Sequence, residues 1–183
     1  MGELADRRAY ERVEAWVEKK LGLHFDADQK PAVRRRLEGL ARRLGHSHAA
    51  ALVERLEEDE GTMANALAET VATHHTGFFR EPAVLERITA DILPSLPRSR
   101  ERRRVWSAAA STGEELYSVA MLLAEHLGPD RAQARFALLG TDLVPKVVRI
   151  AERAEYGAAA MKSVSPERRA RWFEPVGGGR FRV

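Results

Sequence analysis

The sequence predicts an α/β chain in two parts: an all-α helical bundle over residues 1–72, then the first half of a doubly wound parallel sheet over residues 73–183. Three observations predict it. The early chain is helical in pattern throughout. Residues 104–123, RVWSAAASTGEELYSVAMLL, read as a buried strand, a tight small-residue turn and an amphipathic helix. A second apolar run, residues 136–139, leads into Gly140, Thr141 and Asp142 before Pro145 opens another helix. Strand-helix-strand-helix order implies two parallel strands joined by a right-handed crossover.

The first helix spans residues 6–20, with Tyr10, Val13, Trp16, Val17 and Leu21 on one side. The second opens at Pro31, a residue suited to a first helical turn, and stops near Gly45. Its Val33, Leu37, Leu40 and Leu44 fall within about 60° of arc at about 100° per residue, which makes one apolar stripe. Arg35 and Arg42 project opposite that stripe, Arg34, Arg36 and Arg43 flank them, and Glu38 is the acidic counterweight. Such a run is either a solvated face or a docking face for an acidic or helical protein partner. Nucleic acid is not expected, because no aromatic residues interleave and no DNA-binding spacing is present. Helices over 48–58 and 62–73 complete a four-helix unit. The acidic run Glu57, Glu58, Asp59, Glu60 ends at Gly61 and reads as a turn, since it lacks the alternating spacing of a calcium loop. His46 with His48, and His74 with His75, are too closely spaced for the i, i+4 pair of a helical zinc site, so no metal is expected.

Residues 73–81, THHTGFFRE, read as a specific loop before a helix over 83–93 that Pro82 opens. Phe78 and Phe79 either anchor the next helix in the core or present a ring to a cationic ligand. Arg80 stands before a helix start, where the dipole repels it unless Glu81 or a ligand carboxylate pairs with its fork of donors. The proline-punctuated stretch 94–103 reads as a loop. The strand over 105–108 follows, and then a helix that runs to Leu127, closed by Gly128 and Pro129. A helix over 166–173 and the loop GGGRF end the chain.

Ala108, Ala109, Ala110, Ser111 and Gly113 would let a ligand approach the backbone closely. Helix N-termini in this setting usually bind phosphates, but Glu114 and Glu115 occupy the first turn here. A ligand with hydroxyls or positive charge is favoured instead, a class that includes S-adenosylmethionine. Asp142 stands at the end of the second strand, where an acidic residue hydrogen-bonds ribose hydroxyls in doubly wound sheets. Its alternative role is a cap for the helix from Pro145.

Composition narrows the class further. With 183 residues and 44% apolar content the chain can build a core. A net charge of +3, from 30 basic and 27 acidic residues, argues against general nucleic-acid binding. Absence of cysteine removes disulfides, thiolate zinc sites and thiol catalysis. No apolar run approaches the ~20 residues that cross a bilayer, and Asp6 departs from a myristoylation signal, so a cytoplasmic protein without membrane insertion is expected.

Three blocks in this order, THHTGFFRE at 73–81, VWSAAASTGEELYS at 105–118 and GTDLVPKVVRIAERAEYG at 140–157, resemble the CheR-type family of bacterial chemotaxis receptor methyltransferases. The resemblance implies a Rossmann-like S-adenosylmethionine methyltransferase domain that methylates glutamate side chains on the cytoplasmic helices of chemotaxis receptors. It implies that Arg35, Arg36, Arg42 and Arg43 meet the receptor. His74, Thr76, Arg80, Glu115 and Asp142 would contact the cofactor, with Asp142 on its ribose. Arg80 would also serve catalysis by orienting the substrate carboxylate or the cofactor's amino-acid end. The sequence departs from the common pattern at His74, Leu116 and Val144. Members also continue beyond the point matching Val183 into the rest of the sheet, with asparagine-bearing cofactor contacts and a small inserted subdomain. The sequence therefore reads as a shortened domain whose uncovered sheet would support self-association. A truncated, noncatalytic receptor- or cofactor-binding module is the alternative reading.

Overall fold

The computed structural model describes residues 2–46, 48, 50–58, 60–72, 75–97 and 101–183. The chain divides into two compact units, Met1–Thr73 and His74–Val183.

The first unit holds α1 (Gly2–Leu21), α2 (Lys30–Arg43), α3 (Ala50–Glu58) and α4 (Glu60–Val71). Its core gathers Val13, Val17, Leu37, Leu40, Leu52, Met63 and Leu67, the apolar stripes of all four helices. In α2 the stripe of Val33, Leu37 and Leu40 is buried, together with Ala41. Leu44, expected on the same stripe, is 41% exposed because the helix ends there. Glu57 and Glu58 lie in α3, Glu60 and Gly61 in α4, where a turn was expected, and Asp59 lies outside the described residues. Arg34 is structural: its Nε lies 3.6 Å from Glu14 Oε1, and its guanidinium sits 5.2 Å from the centroid of the Tyr10 ring. With Lys30, whose Nζ is 2.9 Å from Glu14 Oε2, it fastens α2 to α1.

The second unit opens with α5 (Pro82–Arg87), a π-helical stretch (Ile88–Ile92) and α6 (Leu93–Ser95). Pro94 is thus helical, where a loop was expected. Then follow β1 (Arg103–Ala108), α7 (Glu114–Leu127), α8 (Pro129–Arg135), β2 (Phe136–Thr141) and α9 (Pro145–Arg153). β1 and β2 pair in parallel, with Ser107 opposite Gly140 and Ala108 opposite Thr141. α7 and α8 form the crossover between them, and α7 buries Val119, Leu122 and Leu123. Gly128 and Pro129 end α7 as expected, but Pro129 is also the first residue of α8.

The remaining chain forms a second sheet that the sequence pattern does not anticipate. β3 (Glu155–Gly157), a 3-10 turn (Ala160–Ser163), α10 (Pro166–Trp172), β4 (Glu174–Gly177) and β5 (Arg180–Arg182) give an antiparallel sheet of order β3-β5-β4. The GGGRF segment is the turn of the β4-β5 hairpin together with part of β5. Phe78 is buried edge-on against Tyr156 and Phe173, with centroids 4.9 and 5.1 Å away. Phe79 is buried as well, with the Arg168 guanidinium 4.1 Å from its ring centroid. The ring offered to a ligand is therefore absent at both positions, and the cation beside Phe79 comes from α10. Arg168 also grips Glu125 with two hydrogen bonds of 3.0 and 2.8 Å, joined by Trp172 Nε1 at 3.1 Å.

One face of the parallel sheet is bare. Trp106 is 66% exposed and Leu139, its partner in register, 56%. Parallel sheets are ordinarily covered on both faces. Among the described residues no helix is long and apolar enough to cross a membrane.

Candidate cofactor site

The turn between β1 and α7 takes an unusual path. Ala109 (φ 62°), Ser111 (φ 51°) and Gly113 (φ 92°) all adopt the left-handed region. Without glycine this costs on the order of 1 kcal/mol per residue, so neighbouring contacts must impose it. Those contacts are visible. Ala110 N–H donates to the Thr141 carbonyl at 2.9 Å, Ser111 N–H to Asp142 Oδ2 at 2.8 Å, and Tyr156 O–H to the Thr112 carbonyl at 2.7 Å. A Cβ on Gly113 would lie 2.8 Å from the Ala151 Cβ of α9, and one on Gly140 would lie 3.0 Å from Ala110 Cβ. The space expected to admit a ligand at Gly113 is thus filled by the protein itself.

Asp142 is bonded by this turn, and Glu115 by the end of β1. Asp142 is half-buried, and its second oxygen accepts the Val144 N–H at 2.9 Å, in a two-residue loop that leads into α9. It therefore braces the start of α9, whose N-cap is Val144, and braces the turn as well. Glu115 is exposed, and its Oε1 accepts the Ser107 hydroxyl at 2.9 Å. Since Ser107 and Ala108 face Gly140 and Thr141 across the sheet, the anchor of Glu115 and the base of Asp142 share the carboxyl edge of the two strands. Glu114, its neighbour, is buried and accepts the Thr112 hydroxyl at 2.6 Å, so only one of the paired carboxylates is free to face solvent.

The 75–81 loop is tied to α7 through Ser118, whose hydroxyl accepts the Phe79 N–H at 2.9 Å and donates to the Glu114 carbonyl at 2.6 Å. Phe79 and Glu81 on either side of Arg80 are left-handed, at φ 51° and 52°. Arg80 is exposed and donates to the His75 carbonyl, not to Glu81. Thr76 is half-buried in the same loop, and His74 lies outside the described residues. Tyr156 and Tyr117 brace the turn from behind, the latter donating to the Ala151 carbonyl at 2.8 Å. Burial pushes both phenols above their ordinary pKa, Tyr156 further through Glu114 and Tyr117, which keeps them hydrogen-bond donors. Sequence reasoning missed Ser107, Ser118 and Tyr156, because their role depends on contacts between 8 and 44 residues apart.

Two family models match the chain in tandem: the CheR methyltransferase all-alpha domain over residues 8–71 and the CheR methyltransferase SAM binding domain over residues 74–183. The chain belongs to the CheR methyltransferase family. It is 30% identical over 179 residues to Chemotaxis protein methyltransferase 1 of Pseudomonas aeruginosa, covering 95% of this chain and 65% of that protein. It is 35% identical over 159 residues to a probable chemotaxis protein methyltransferase of Rhizobium etli, covering 85% and 59%. The chemotaxis protein methyltransferase of Escherichia coli is 31% identical over 169 residues, covering 90% and 56%. The chain thus spans between about half and two thirds of these relatives' length. S-adenosylmethionine is the cofactor of the matched domain.

The residues present fit that cofactor. Glu115 and Asp142 are acceptors of the kind that hydroxyl and ammonium groups need, and Ser111 has a buried Oγ with no hydrogen-bond partner among the described residues. In the first unit, Arg35 and Arg42 are exposed and have no ion-pair or hydrogen-bond partner among the described residues. Arg36 and Arg43 instead reach the end of α4, at the Val71 carbonyl (3.4 Å) and Thr70 Oγ1 (3.3 Å).

Proposed function

We propose that this chain serves S-adenosylmethionine-dependent methylation of glutamate side chains on the cytoplasmic helices of chemotaxis receptors. The observation that carries the reading is the pair of carboxylates, Glu115 and Asp142, anchored at one carboxyl edge of the β1-β2 crossover. Helices of the receptor and a cytoplasmic setting follow from the same reading.

The chemistry asks little of the protein. A substrate glutamate, with an ordinary pKa of about 4.3, is ionised at neutral pH, so no general base is needed. S-adenosylmethionine supplies, when bound, a methyl group activated by the sulfonium charge. Asp142 accepts the ribose hydroxyls with lone pairs not used by the Ser111 and Val144 N–H groups, and Glu115 accepts a second polar group of the cofactor. Thr76 lines the approach from the 75–81 loop, and His74, outside the described residues, is assigned to the cofactor by the family resemblance alone. Arg80, with one guanidinium nitrogen on the His75 carbonyl, directs its remaining donors to the substrate carboxylate or to the cofactor's amino-acid end. Alignment of this kind contributes several kcal/mol to such a transfer.

Receptor docking falls to α2. Arg35 and Arg42 are its free cations, while Arg36 and Arg43 add charge from positions already fastened to α4. Transfer of labelled methyl groups to receptor fragments, measured beside calorimetric cofactor binding, tests the proposal. Reversal of Arg35 and Arg42 to Glu should weaken receptor association several-fold and leave cofactor affinity unchanged. Unchanged association would make α2 a solvated surface.

A second reading is a noncatalytic module that binds cofactor or receptor without turnover, with the exposed Trp106 and Leu139 available to a further copy. Binding without methyl transfer selects it.

A further inference from the structure

Arg168 brings a charge to a place where packing asks only for carbon. Its guanidinium lies 4.1 Å from the centroid of the buried Phe79 ring. Glu125 holds it there with both carboxylate oxygens, Arg168 Nε donating to Oε1 at 3.0 Å and Nη2 to Oε2 at 2.8 Å. Trp172 Nε1 donates to Oε1 as well, at 3.1 Å, and Ser165 Oγ accepts the Arg168 N–H at 3.3 Å, so the backbone and both ends of the ion pair are fixed. The Arg168 and Glu125 side chains are 33% and 23% exposed, which leaves both ions partly desolvated. An aliphatic side chain would cover the ring without that cost, and replacing both ions of such a pair by uncharged groups is often neutral or stabilising. What an aliphatic side chain lacks is direction, since a two-pronged bond holds a planar cation at one angle over one ring.

The residue held this way stands immediately before Arg80. Phe79 is gripped twice, its ring by Arg168 and its N–H by the Ser118 hydroxyl at 2.9 Å. Ser118 and Glu125 belong to one helix, α7, whose first turn carries Glu115. Phe79 and Glu81 are both left-handed, at φ 51° and 52°, so Arg80 sits between two strained residues whose conformation the surroundings must impose. Arg80 itself is exposed, and among the described residues it bonds only the His75 carbonyl of its own loop. Its direction is therefore set by the backbone of that loop, and the backbone is set at Phe79.

We infer that Arg168 is a positioning residue: locked by Glu125 and Trp172, it fixes Phe79 and, through Phe79, the direction in which Arg80 leaves the 75–81 loop. The inference rests on the reading of Arg80 as the group that orients the substrate carboxylate or the cofactor's amino-acid end. Arg168 acts through the ring and needs no contact with either ligand.

The test is a variant cycle of Arg80→Ala, the neutral pair Glu125→Gln with Arg168→Met, and all three changes together. Each is read by S-adenosylmethionine calorimetry, by transfer of labelled methyl groups to receptor fragments and by thermal unfolding. Arg80→Ala identifies which of the two functional readouts depends on Arg80. In that readout the neutral pair should lose about fivefold, the scale of one cation–ring contact, while melting close to wild type because no charge is left unpaired. The triple variant should be no weaker than Arg80→Ala alone, since an effect carried by Arg80 vanishes once Arg80 is gone. Arg168→Lys, which keeps the charge without the planar fork, should also fall short of wild type and supplies the comparison if the neutral pair does not fold. Wild-type function in the neutral pair or in Arg168→Lys overturns the inference alone. Losses that add in the triple variant, or that follow a fall in melting temperature, overturn it too, because they assign Arg168 to the fold. If neither functional readout responds to Arg80→Ala, the reading of Arg80 and the inference fall together.

Discussion

Two turns of the second unit each take left-handed backbone at three positions, and they do so in opposite ways. The β4-β5 hairpin turn takes it at Gly177, Gly178 and Gly179, with φ of 88°, 57° and 70°, and a Cβ added at any of them would meet nothing within 4 Å. The turn after β1 takes it at Ala109, Ser111 and Gly113, and its one glycine is pressed against α9. In the hairpin, glycine makes the conformation nearly free of strain and no neighbour depends on it. After β1, strain is accepted and held down by bonds to Thr141, Asp142 and Tyr156. The difference separates a turn that merely reverses the chain from one that holds the Asp142 carboxylate.

The comparison breaks most readily at its glycines. Gly113→Ala should cost about 3 kcal/mol, since its Cβ would lie 2.8 Å from Ala151 Cβ at a φ of 92°. Gly178→Ala should cost only about 1 kcal/mol, having open space around it. Urea denaturation of both variants reads the gap, and equal losses would make the two turns equivalent. Tyr156→Phe sharpens the contrast at lower cost. Removing its bond to the Thr112 carbonyl should destabilise by about 1–2 kcal/mol and also weaken cofactor binding, whereas unchanged binding would detach this brace from the site.

The smallest expected effect is a pH dependence away from the turn. Burial opposes ionisation of Glu125, but hydrogen bonds from Arg168 and Trp172 and the charges of Arg168 and Arg171 outweigh it and hold the carboxyl below its ordinary pKa. Stability from such a group is complete above the unfolded value, about 4.3, and is lost as pH falls through the lower folded value. Wild-type protein should therefore exceed Glu125→Gln in stability at pH 7, with the gap narrowing towards pH 3. A gap independent of pH would show that the Arg168 clasp does not depend on charge.

Much of the second unit's crossover was legible in sequence, for reasons tied to particular residues. A strand, a run of small residues and a 3.6-residue apolar period leave little choice between Val105 and Leu127, and Pro145 marks the start of α9. α8 was not legible, because PDRAQAR is short and carries no apolar stripe. The antiparallel sheet was hidden in strands of three and four residues, too short to show alternation. Of the site, Glu115 and Asp142 could be picked out by their place in the crossover. The bonds that hold them could not, since Ser107 reaches Glu115, the Ser111 N–H reaches Asp142 and Tyr156 reaches the Thr112 carbonyl through tertiary hydrogen bonds that leave no local pattern. The burial of both Phe78 and Phe79 was likewise decided by Tyr156, Phe173 and Arg168, far along the chain.

The central claim is that the strained turn holds Asp142 in place for the cofactor. Calorimetric titration of S-adenosylmethionine into wild type, Asp142→Ala and Asp130→Ala tests it most directly, Asp130 being an acidic residue in the first turn of α8. The account predicts affinity lowered about tenfold or more by Asp142→Ala, the scale of a charge-assisted hydrogen bond, and unchanged by Asp130→Ala. Equal affinities for the two variants would contradict it.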